Sequence, residues 1–401
     1  MAKIFAVNTG SSSLKFKIYE MPKEVVLCSG LAERIGHDNA IFTLKDGDGN
    51  KIDVIESPLK DHTDAVQLVI KKLLEHKLLN NMSEIDGVGH RIVQGGKYFK
   101  DSAVLDEKTI EIISDLASLA PLHNPAHILG YNAFKTLLPN TPMVAVFDTA
   151  FHQTMKAEDY TFAIPKEYAK KYDIRRYGFH GTSHKYLMEI ATKRYLQNTK
   201  QKRIITCHLG SGVSIAAINK GKCVATSMGL TPLGGIMMGT RTGDMDPSVL
   251  WFLAKALNKS TDEVYDILNK KSGFLGVSGV SNDARDVIDA MEQGNKDAKL
   301  ADALFVRRVV DFIGQYYVRL GGCDAIIFSA GIGENDGRYR ELICKALEKP
   351  LGIKIDTELN RPLRGVEKLI STPKSKVKVI IIPTDEEVMI ARDTYRIALK
   401  G

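Results

Sequence analysis

Two similar stretches decide the fold: Phe5-Ala-Val-Asn-Thr-Gly10-Ser11-Ser-Ser-Leu-Lys-Phe16 and Ile205-Thr-Cys-His-Leu-Gly210-Ser211-Gly-Val-Ser-Ile-Ala216. Each stretch joins two short apolar runs through Gly and Ser, a pattern that predicts strand, turn and strand. They lie about half the chain apart. This spacing favours duplication of one domain, and a chance match is the alternative explanation of the similarity. A duplication would place two similar domains on either side of a cleft.

Length and composition also favour two domains. A chain of 401 residues, 44% of them apolar, exceeds what one hydrophobic core usually organises. We expect no membrane partner, because no window approaches about 18 consecutive apolar residues and the N-terminus lacks a signal-peptide pattern. The five cysteines form no C-x-x-C pair, which favours a reducing, cytoplasmic location. The net charge of +7 comes without a long basic block, so no nucleic-acid partner is expected.

Apolar runs alternate with helical patterns, which favours α/β layers around largely parallel sheets. Strands are predicted at residues 4–7, 14–19, 143–147, 204–207, 325–328 and 377–382. The spacing of apolar residues predicts a helix within residues 62–79. Asn124 is predicted to cap another helix, with Pro125 at its first position. The domain boundary is placed near residue 150.

Glycine-rich turns are the candidate nucleotide-binding elements. Around Gly10 and Gly210, backbone N–H groups and serine hydroxyls could contact a phosphate, or the turns could be ordinary hairpins. A third loop, Ser329-Ala-Gly331-Ile-Gly333-Glu-Asn335, follows an apolar run where α/β proteins commonly hold nucleotides. The chain has no dinucleotide-binding, P-loop or protein-kinase motif, so a nucleotide site would need another architecture.

Charged residues in glycine-flanked segments are the catalytic candidates. Arg91 and Arg241 could bind carboxylate or phosphoryl oxygens, or form structural ion pairs. Asp148 follows an apolar run and is either a functional carboxylate or a turn cap. His180 suits charge stabilisation better than zinc binding, because neither an obvious third ligand nor an H-E-x-x-H motif accompanies His180 and His184. A structural histidine is the alternative.

The segment Pro383-Thr384-Asp385-Glu386-Glu387 is predicted to begin the last helix. Acidic residues there commonly complement the helix dipole. They could equally hold Mg²⁺, which needs only one or two carboxylates in addition to nucleotide phosphates and water.

Ordered motifs across the chain resemble the acetokinase family of short-chain carboxylate kinases. They include His90-Arg-Ile-Val-Gln-Gly-Gly96, Arg176-Tyr-Gly-Phe-His-Gly-Thr-Ser-His184 and Met238-Gly-Thr-Arg-Thr-Gly-Asp-Met-Asp-Pro247. The resemblance implies Mg²⁺-dependent, reversible, direct in-line transfer of the ATP γ-phosphoryl group to acetate, which gives acetyl phosphate and ADP. It also implies an α/β fold of two duplicated actin-like, ribonuclease-H-like domains around a central cleft, as in sugar kinases and Hsp70-type ATPases, and a homodimer.

The resemblance assigns site residues by position. It implies a catalytic set of Arg91, Asp148, His180 and Arg241, with Arg91 also binding substrate. The pocket for the acyl methyl group would comprise Val93, Leu122, Phe179 and Pro232. The nucleotide site would comprise Ser11, Ser13, Lys15, His208, Leu209, Gly210, Ser211, Gly212, Asp283, Ala284, Arg285, Gly331, Ile332, Gly333, Glu334 and Asn335. The metal ligands would be Asn8 and Glu386, for Mg²⁺ or alternatively Mn²⁺.

The first domain is predicted to span residues 1–150 and to be completed by residues 384–401, with residues 151–383 forming the second, nucleotide-binding domain. Three positions depart from the family pattern. Ser211 replaces the usual Asn, Asp385 replaces Asn, and Gly234-Gly235 replaces Glu-Gly. Propionate kinase, a sugar or polyol kinase, and a non-catalytic actin-like ATPase are the alternative functions.

Overall fold

A computed structural model describes residues 1–121 and 123–400 and contains two β-sheets. Sheet 1 contains β1 (Ala2–Thr9), β2 (Ser13–Met21), β3 (Val25–Glu33), β4 (Ala40–Asp46), β5 (Lys51–Ser57), β6 (Ile85–Ile92), β7 (Ala103–Val104) and β8 (Met143–Phe147). Sheet 2 contains β9 (Arg203–Leu209), β10 (Val213–Asn219), β11 (Lys222–Thr226), β12 (Ala325–Ser329), β13 (Lys368–Leu369) and β14 (Lys378–Ile381). The predicted strands therefore all form.

The helices cover much of the remaining chain. They are α1 (His62–Glu75), α2 (Glu107–Asp115), α3 (Asn124–Leu137), α4 (Ala157–Tyr160), α5 (Lys166–Lys171), α6 (Gly181–Arg194), α7 (Ser248–Ala256), α8 (Thr261–Lys270), α9 (Gly273–Ser278), α10 (Ala284–Glu292), α11 (Lys296–Leu320), α12 (Ala330–Asn335), α13 (Gly337–Leu351), α14 (Thr357–Asn360) and α15 (Glu386–Leu399). Short 3₁₀ turns lie at Met82–Glu84, Leu116–Ser118 and Ala150–Thr154. Among the described residues, no helix has both the length and the apolar character needed to cross a membrane.

The two sheets repeat one topology. Sheet 1 has the order β5-β4-β3-β2-β1-β6-β8-β7, and sheet 2 has the order β11-β10-β9-β12-β14-β13. In both, the first strand pairs antiparallel with the second, and the second pairs antiparallel with the third. On the other side of the first strand, two further strands add in parallel. The α/β prediction is confirmed, and the similar Gly-Ser segments are the equivalent first turns of the two sheets.

The described chain divides into two compact units. Unit 1 contains residues 1–151 and the segment from Asp385 onward, and unit 2 contains His152–Thr384. The helices that follow the last parallel strands are exchanged between the sheets. Helix α15 follows β14 of sheet 2 but packs on β1, β6 and β8 of sheet 1, whereas α6 follows β8 of sheet 1 but packs on β9 and β12 of sheet 2.

Glycine in β6 allows α15 to pack closely on sheet 1. A Cβ at Gly89 would overlap the hydroxyl of Thr394 and the Cγ2 methyl of Ile390. Both of those α15 residues are buried. A larger residue at position 89 would therefore push the helix away from the sheet.

Two details of the helices differ from the sequence prediction. The helix predicted within residues 62–79 ends at Glu75, shortly before Lys77 takes a left-handed backbone conformation. Asn124 is the first residue of α3 and not its cap, which is His123. The Asn124 side chain instead bonds the backbone of Gln94 in both directions and donates to the Ile113 carbonyl. The Asn124 side chain therefore forms hydrogen bonds to other segments of the chain and does not cap α3.

Candidate active site

In unit 1, three predicted site residues meet at one edge of sheet 1. Asn8 is on β1, Arg91 is on β6 and Asp148 follows β8, and these strands are parallel neighbours whose carboxyl ends share an edge. Arg91 Nε lies 3.1 Å from Asp148 Oδ1, and Nη2 lies 2.5 Å from Oδ2. Its Nη1 donates to Asn8 Oδ1 at 3.2 Å. Burial opposes the charge on Arg91, but Asp148 and Glu386 outweigh it and raise the pKa of the guanidinium.

The first turn of α15 adds carboxylates to this edge. Glu386 Oε2 lies 3.7 Å from Arg91 Nε, and Glu387 Oε1 lies 2.5 Å from Lys15 Nζ. Burial raises the pKa of Glu386, and the nearby carboxylates Asp148 and Glu387 add to the effect. Burial also acts on Glu387, but Lys15 and Lys17 together lower its pKa. The edge therefore concentrates negative charge, balanced in part by its own cations.

The turn between β1 and β2 carries the first predicted phosphate contacts. Gly10 N–H donates to the Ser13 carbonyl at 2.8 Å, which closes the turn. A Cβ at Gly10 would lie 2.6 Å from Ser13 Oγ, so a larger residue there would force the Ser13 hydroxyl to move. Ser11 is exposed at the tip, whereas Lys15 leads away along β2 towards Glu387.

In unit 2, the equivalent turn lies beside His180 and Arg241. Gly210 N–H donates to the Gly212 carbonyl at 3.1 Å. A Cβ at Gly212 would lie 3.2 Å from His180 Nε2 and 3.7 Å from Arg241 Nη1. The His180 ring stacks on His208, with 4.1 Å between ring centroids. The structure thus brings two predicted catalytic residues and the predicted phosphate turn together.

Arg241 is a largely buried cation that forms no ion pair within the described part of the chain. Its Nη1 lies 3.4 Å from the Pro232 carbonyl and 3.8 Å from Met238 Sδ. No Asp or Glu of residues 1–121 or 123–400 forms an ion pair with it. Burial lowers the pKa of this guanidinium from its usual value. The loop is held in place by bonds from Met238 N–H to the Arg241 carbonyl and from Phe274 N–H to the Met238 carbonyl.

A pocket of about 440 Å³ next to this turn contains many of the residues predicted to bind nucleotide. Its volume lies within the range of about 300–1,000 Å³ that is typical of ligand sites. It is lined by Gly210, Ser211, Asp283, Ala284, Arg285, Gly331, Ile332 and Asn335. Asp283 caps α10 and binds the Arg285 guanidinium, with 2.5 Å between Asp283 Oδ2 and Arg285 Nη2.

The pocket also includes residues that the sequence analysis did not assign to it. These are Gly239, Phe274, Asn282 and Asp336. Asn282 adjoins the predicted Asp283–Arg285 segment, so position alone could have suggested it. Phe274 carried no sequence signal, because a buried phenylalanine after a glycine is an ordinary core residue.

The Glu334 side chain, which is predicted to contact nucleotide, forms hydrogen bonds within the protein. Its Oε1 accepts hydrogen bonds from Ala330 N–H at 2.7 Å, Thr384 N–H at 2.9 Å and Ser329 Oγ at 3.2 Å. These bonds tie the loop after β12 to the end of unit 2. Gly333 is likewise fixed, because its carbonyl accepts from the fully buried Arg340, a contact that the sequence did not indicate.

The residues predicted to form the acyl pocket are distributed along the chain. Val93 is buried in unit 1, and Phe179 is buried in unit 2, where its carbonyl lies 2.9 Å from His152 Nε2. Pro232 is in the loop that contacts Arg241. Leu122 lies outside the described residues.

Two repeated α/β sheets, a nucleotide-sized pocket beside a glycine turn and a buried arginine are features of an enzyme that handles phosphate anions. The comparison with known proteins makes the class specific, because the Acetokinase family matches residues 3–392. The chain belongs to this family.

Individual relatives match over their whole length. A Bacillus subtilis protein named acetate kinase is 51% identical over 398 residues, which cover 99% of this chain and 100% of the relative. The crystal structure of Porphyromonas gingivalis acetate kinase has a TM-score of 0.92 at 44% identity and covers 99% of this chain and 100% of that one. A propionate kinase structure from Francisella tularensis has a TM-score of 0.91 at 40% identity, with the same coverage.

Proposed function

We propose that this enzyme transfers the γ-phosphoryl group of ATP to acetate, giving acetyl phosphate and ADP. Family membership supports the reaction. The structural observation that carries the proposal is Arg241, a largely buried cation beside the Gly210–Gly212 turn without a carboxylate partner among the described residues. Such a group suits an anionic oxygen supplied by a substrate.

The chemistry needs no general base. A simple carboxylic acid titrates near the Glu value of about 4.3, so acetate is already an anionic nucleophile at pH 7. One of its oxygens attacks the γ-phosphorus in line as the bond to the ADP oxygen breaks, and the electron pair leaves with ADP. Catalysis then consists of positioning two anions and neutralising charge on the transferring group.

The residues divide this work. We assign Arg241 and His180 to the equatorial oxygens of the transferring phosphoryl group, and Arg91 to the acetate carboxylate. Asp148 holds the Arg91 guanidinium through two contacts, so it acts as a positioning residue and not as a base. The pocket lined by Asp283, Gly331 and their neighbours would hold the nucleotide.

Mg²⁺ fits the acidic edge of unit 1. Asn8 and Glu386 supply the oxygen ligands that Mg²⁺ prefers. Burial, with a smaller contribution from Asp148 and Glu387, raises the pKa of Glu386, and a bound cation would favour its charged form. Within the described residues no cluster of three or more His, Cys, Asp or Glu side chains forms a metal cage. Mg²⁺ would therefore be shared with nucleotide phosphates, whose charge it neutralises; Mn²⁺ would be an alternative.

The hydroxamate assay for acyl phosphates tests the proposal with ATP, Mg²⁺ and a panel of acetate, propionate, butyrate and glycerol. The signal should be strongest with acetate. Propionate is the rival favoured by a specific likeness, that to the Francisella propionate kinase. One methylene changes binding by about 1–3 kcal/mol, and the β-branched Val93 favours the smaller acid. ATP turnover without hydroxamate would contradict the proposal and favour a sugar kinase or ATPase.

We also propose that the enzyme is a homodimer formed through α7. This helix, Ser-Val-Leu-Trp-Phe-Leu-Ala-Lys-Ala, is largely apolar yet has no buried residue. Trp251 and Phe252 are 59% and 62% exposed. The only charged residue, Lys255, lies over the Trp251 ring, so the surface suits a like apolar surface on a second copy.

Light scattering after gel filtration tests this dimer. Trp251→Glu combined with Phe252→Glu should halve the particle mass, because each copy would bury two charges. Val318→Glu alters another exposed apolar residue, on α11, and should leave the mass unchanged. An unchanged mass for the α7 variant would exclude this interface.

The reducing location expected from the sequence agrees with five cysteines that are all free.

A further inference from the structure

Four side chains of unit 2 form a continuous hydrogen-bonded chain that ends at His180. Thr206 Oγ1 lies 2.7 Å from His184 Nδ1, and His184 Nε2 lies 2.8 Å from Ser214 Oγ. Ser214 Oγ also lies 2.8 Å from His180 Nδ1. Thr206, His184 and Ser214 are fully buried, so water cannot readily substitute for any of these partners. We call this set the Thr206–His180 relay.

Because Ser214 Oγ bonds only His180 Nδ1 and His184 Nε2 among the described residues, just two arrangements give its buried hydroxyl hydrogen an acceptor. Each hydroxyl donates one hydrogen, and each nitrogen of a neutral imidazole is either donor or acceptor. Burial lowers the pKa of His184 well below its usual value, so this ring is neutral. Ser214 can therefore donate to His180 and accept from His184, or donate to His184 and accept from His180, but not both.

The two arrangements leave His180 in different states. If Thr206 donates to His184 and Ser214 donates to His180, the proton of His180 resides on Nε2. If the direction reverses, Nδ1 carries a proton, and Nε2 has one only when the ring is a cation. The buried Thr206 hydroxyl selects the first arrangement, because Thr206 Oγ1 has no hydrogen-bond partner other than His184 among the described residues, and the reversed direction would leave its hydrogen without an acceptor.

The backbone holds the His180 ring in this orientation. His180 has φ of 55° and precedes α6, a left-handed conformation that is uncommon for residues other than glycine. Nδ1 faces Ser214, while Nε2 lies near Gly212 of the turn. The ring therefore connects the buried relay to the turn predicted to bind phosphate.

We propose that Ser214 is a positioning residue that fixes His180 as the neutral tautomer with its proton on Nε2. That N–H then lies near the Gly210–Gly212 turn, where it can donate to a phosphoryl oxygen once substrate is bound. The identity of the acceptor depends on the proposed function, whereas the tautomer itself does not. No bond is formed or broken in the relay, and Thr206 and His184 act only through Ser214.

Nitrogen NMR of protein labelled with ¹⁵N-histidine tests the tautomer directly. The His180 signals are assigned by their loss in His180→Asn. In the unsubstituted protein at pH 8, His180 should show a protonated Nε2 and an unprotonated Nδ1. Ser214→Ala should convert this pattern to a mixture of tautomers, and Ser214→Thr, which keeps the hydroxyl, should restore it.

A matched control separates the relay from general disturbance of the histidines. Ser183 bonds His208 Nδ1 at 2.8 Å, so Ser183→Ala should alter the His208 signals and leave the His180 tautomer unchanged. Thr206→Val breaks the far end of the relay and should shift His180 in the same direction as Ser214→Ala. An unchanged His180 pattern in Ser214→Ala or Thr206→Val would overturn the proposal.

Kinetics give the second readout. Ser214→Ala should lower kcat roughly 10- to 100-fold, the effect of one hydrogen bond to a charged group, with little change in KM for acetate or ATP. Ser214→Thr should recover most of this loss. A fall in kcat with an unchanged tautomer would make Ser214 merely structural. If the enzyme makes no acyl phosphate, the proposed function fails while the NMR result still decides the relay.

Discussion

The equivalent edges of the two sheets carry different kinds of polar groups. In unit 1, Arg91 and Lys15 are each paired with carboxylates of the same unit. In unit 2, the turn is surrounded by histidines, glycines and Arg241, which has no carboxylate partner in the described part of the chain. The repeated strand order fixes where side chains emerge. The identity of those side chains determines whether a cation at this edge is paired with a carboxylate of the protein or is available to an anionic substrate.

The largest expected effect on turnover comes from removing the cation of unit 2. Arg241→Ala should lower kcat by about 10²–10³-fold, comparable to the loss of one donor to a transition-state oxyanion. Its unfolding free energy should change little, because burial already disfavours this charge. Hydroxamate kinetics and urea unfolding measure the two quantities. A large loss of stability would contradict the contrast with unit 1.

Unlike Arg241→Ala, Arg91→Ala should lower the free energy of unfolding substantially. It leaves the fully buried Asp148 carboxylate without its guanidinium, which should cost about 3–5 kcal/mol of unfolding free energy. Arg91→Ala combined with Asp148→Ala is the matched control and should be more stable than Arg91→Ala alone. If both variants unfold alike in urea, the pair is not what holds this edge together.

The pH dependence of stability should reveal a buried histidine of unit 1. Burial lowers the pKa of His90 to about 3, and its Nε2 has no hydrogen-bond partner among the described residues. Because the folded pKa is below the unfolded value of 6.5, the unfolded state binds the proton first and stability falls as pH drops below 6.5. At pH 5 this one group should cost roughly 2 kcal/mol.

Urea unfolding at pH 7.5 and pH 5 measures this loss. His90→Phe should reduce it by about that amount, because the ring of a phenylalanine cannot titrate and the site is lined by Tyr131 and Phe134. Buried His127 and His184 have lowered pKa values as well, so part of the acid sensitivity should remain. An equal loss in both proteins would exclude His90 as a source.

The smallest expected effect concerns the tip of the turn in unit 2. Ser211 lines the nucleotide-sized pocket in place of the family's usual asparagine. Ser211→Asn adds a second polar group and should lower KM for ATP about two- to tenfold, the net effect of one hydrogen bond. KM for acetate should stay unchanged. A higher KM for ATP would show that serine is the better residue here.

Sequence reasoning succeeded where a local pattern fixes the structure. The Gly10 and Gly210 turns and the apolar runs led directly to the strands, because alternation and glycine placement are local properties. It failed where a side chain bonds a distant segment. The local sequence predicts that Asn124 caps a helix, but its amide bonds the carbonyls of Gln94 and Ile113. No sequence pattern near position 124 indicates those partners.

The same limit applies to the site. Positions such as Asp283, Gly331 and Ser211 were assigned through the family resemblance, and the structure places them around one pocket. The hydrogen bonds of Glu334 and the chain from Thr206 to His180 depend on which strands and helices become neighbours. Thr206 and Ser214 are simply small polar residues in strands, and only the register of β9 and β10 brings them to the same histidine.

The exchange of α6 and α15 between the sheets has a consequence for how the protein is made. Unit 1 is built from two segments of the chain, one before unit 2 in the sequence and one after it. The later segment contains α15, which covers β1, β6 and β8. A ribosome therefore releases most of sheet 1 early but cannot supply its covering helix until all of unit 2 has been translated. During that interval the apolar face around Gly89 stays uncovered, so chains stalled before Asp385 would be targets for chaperones and proteases.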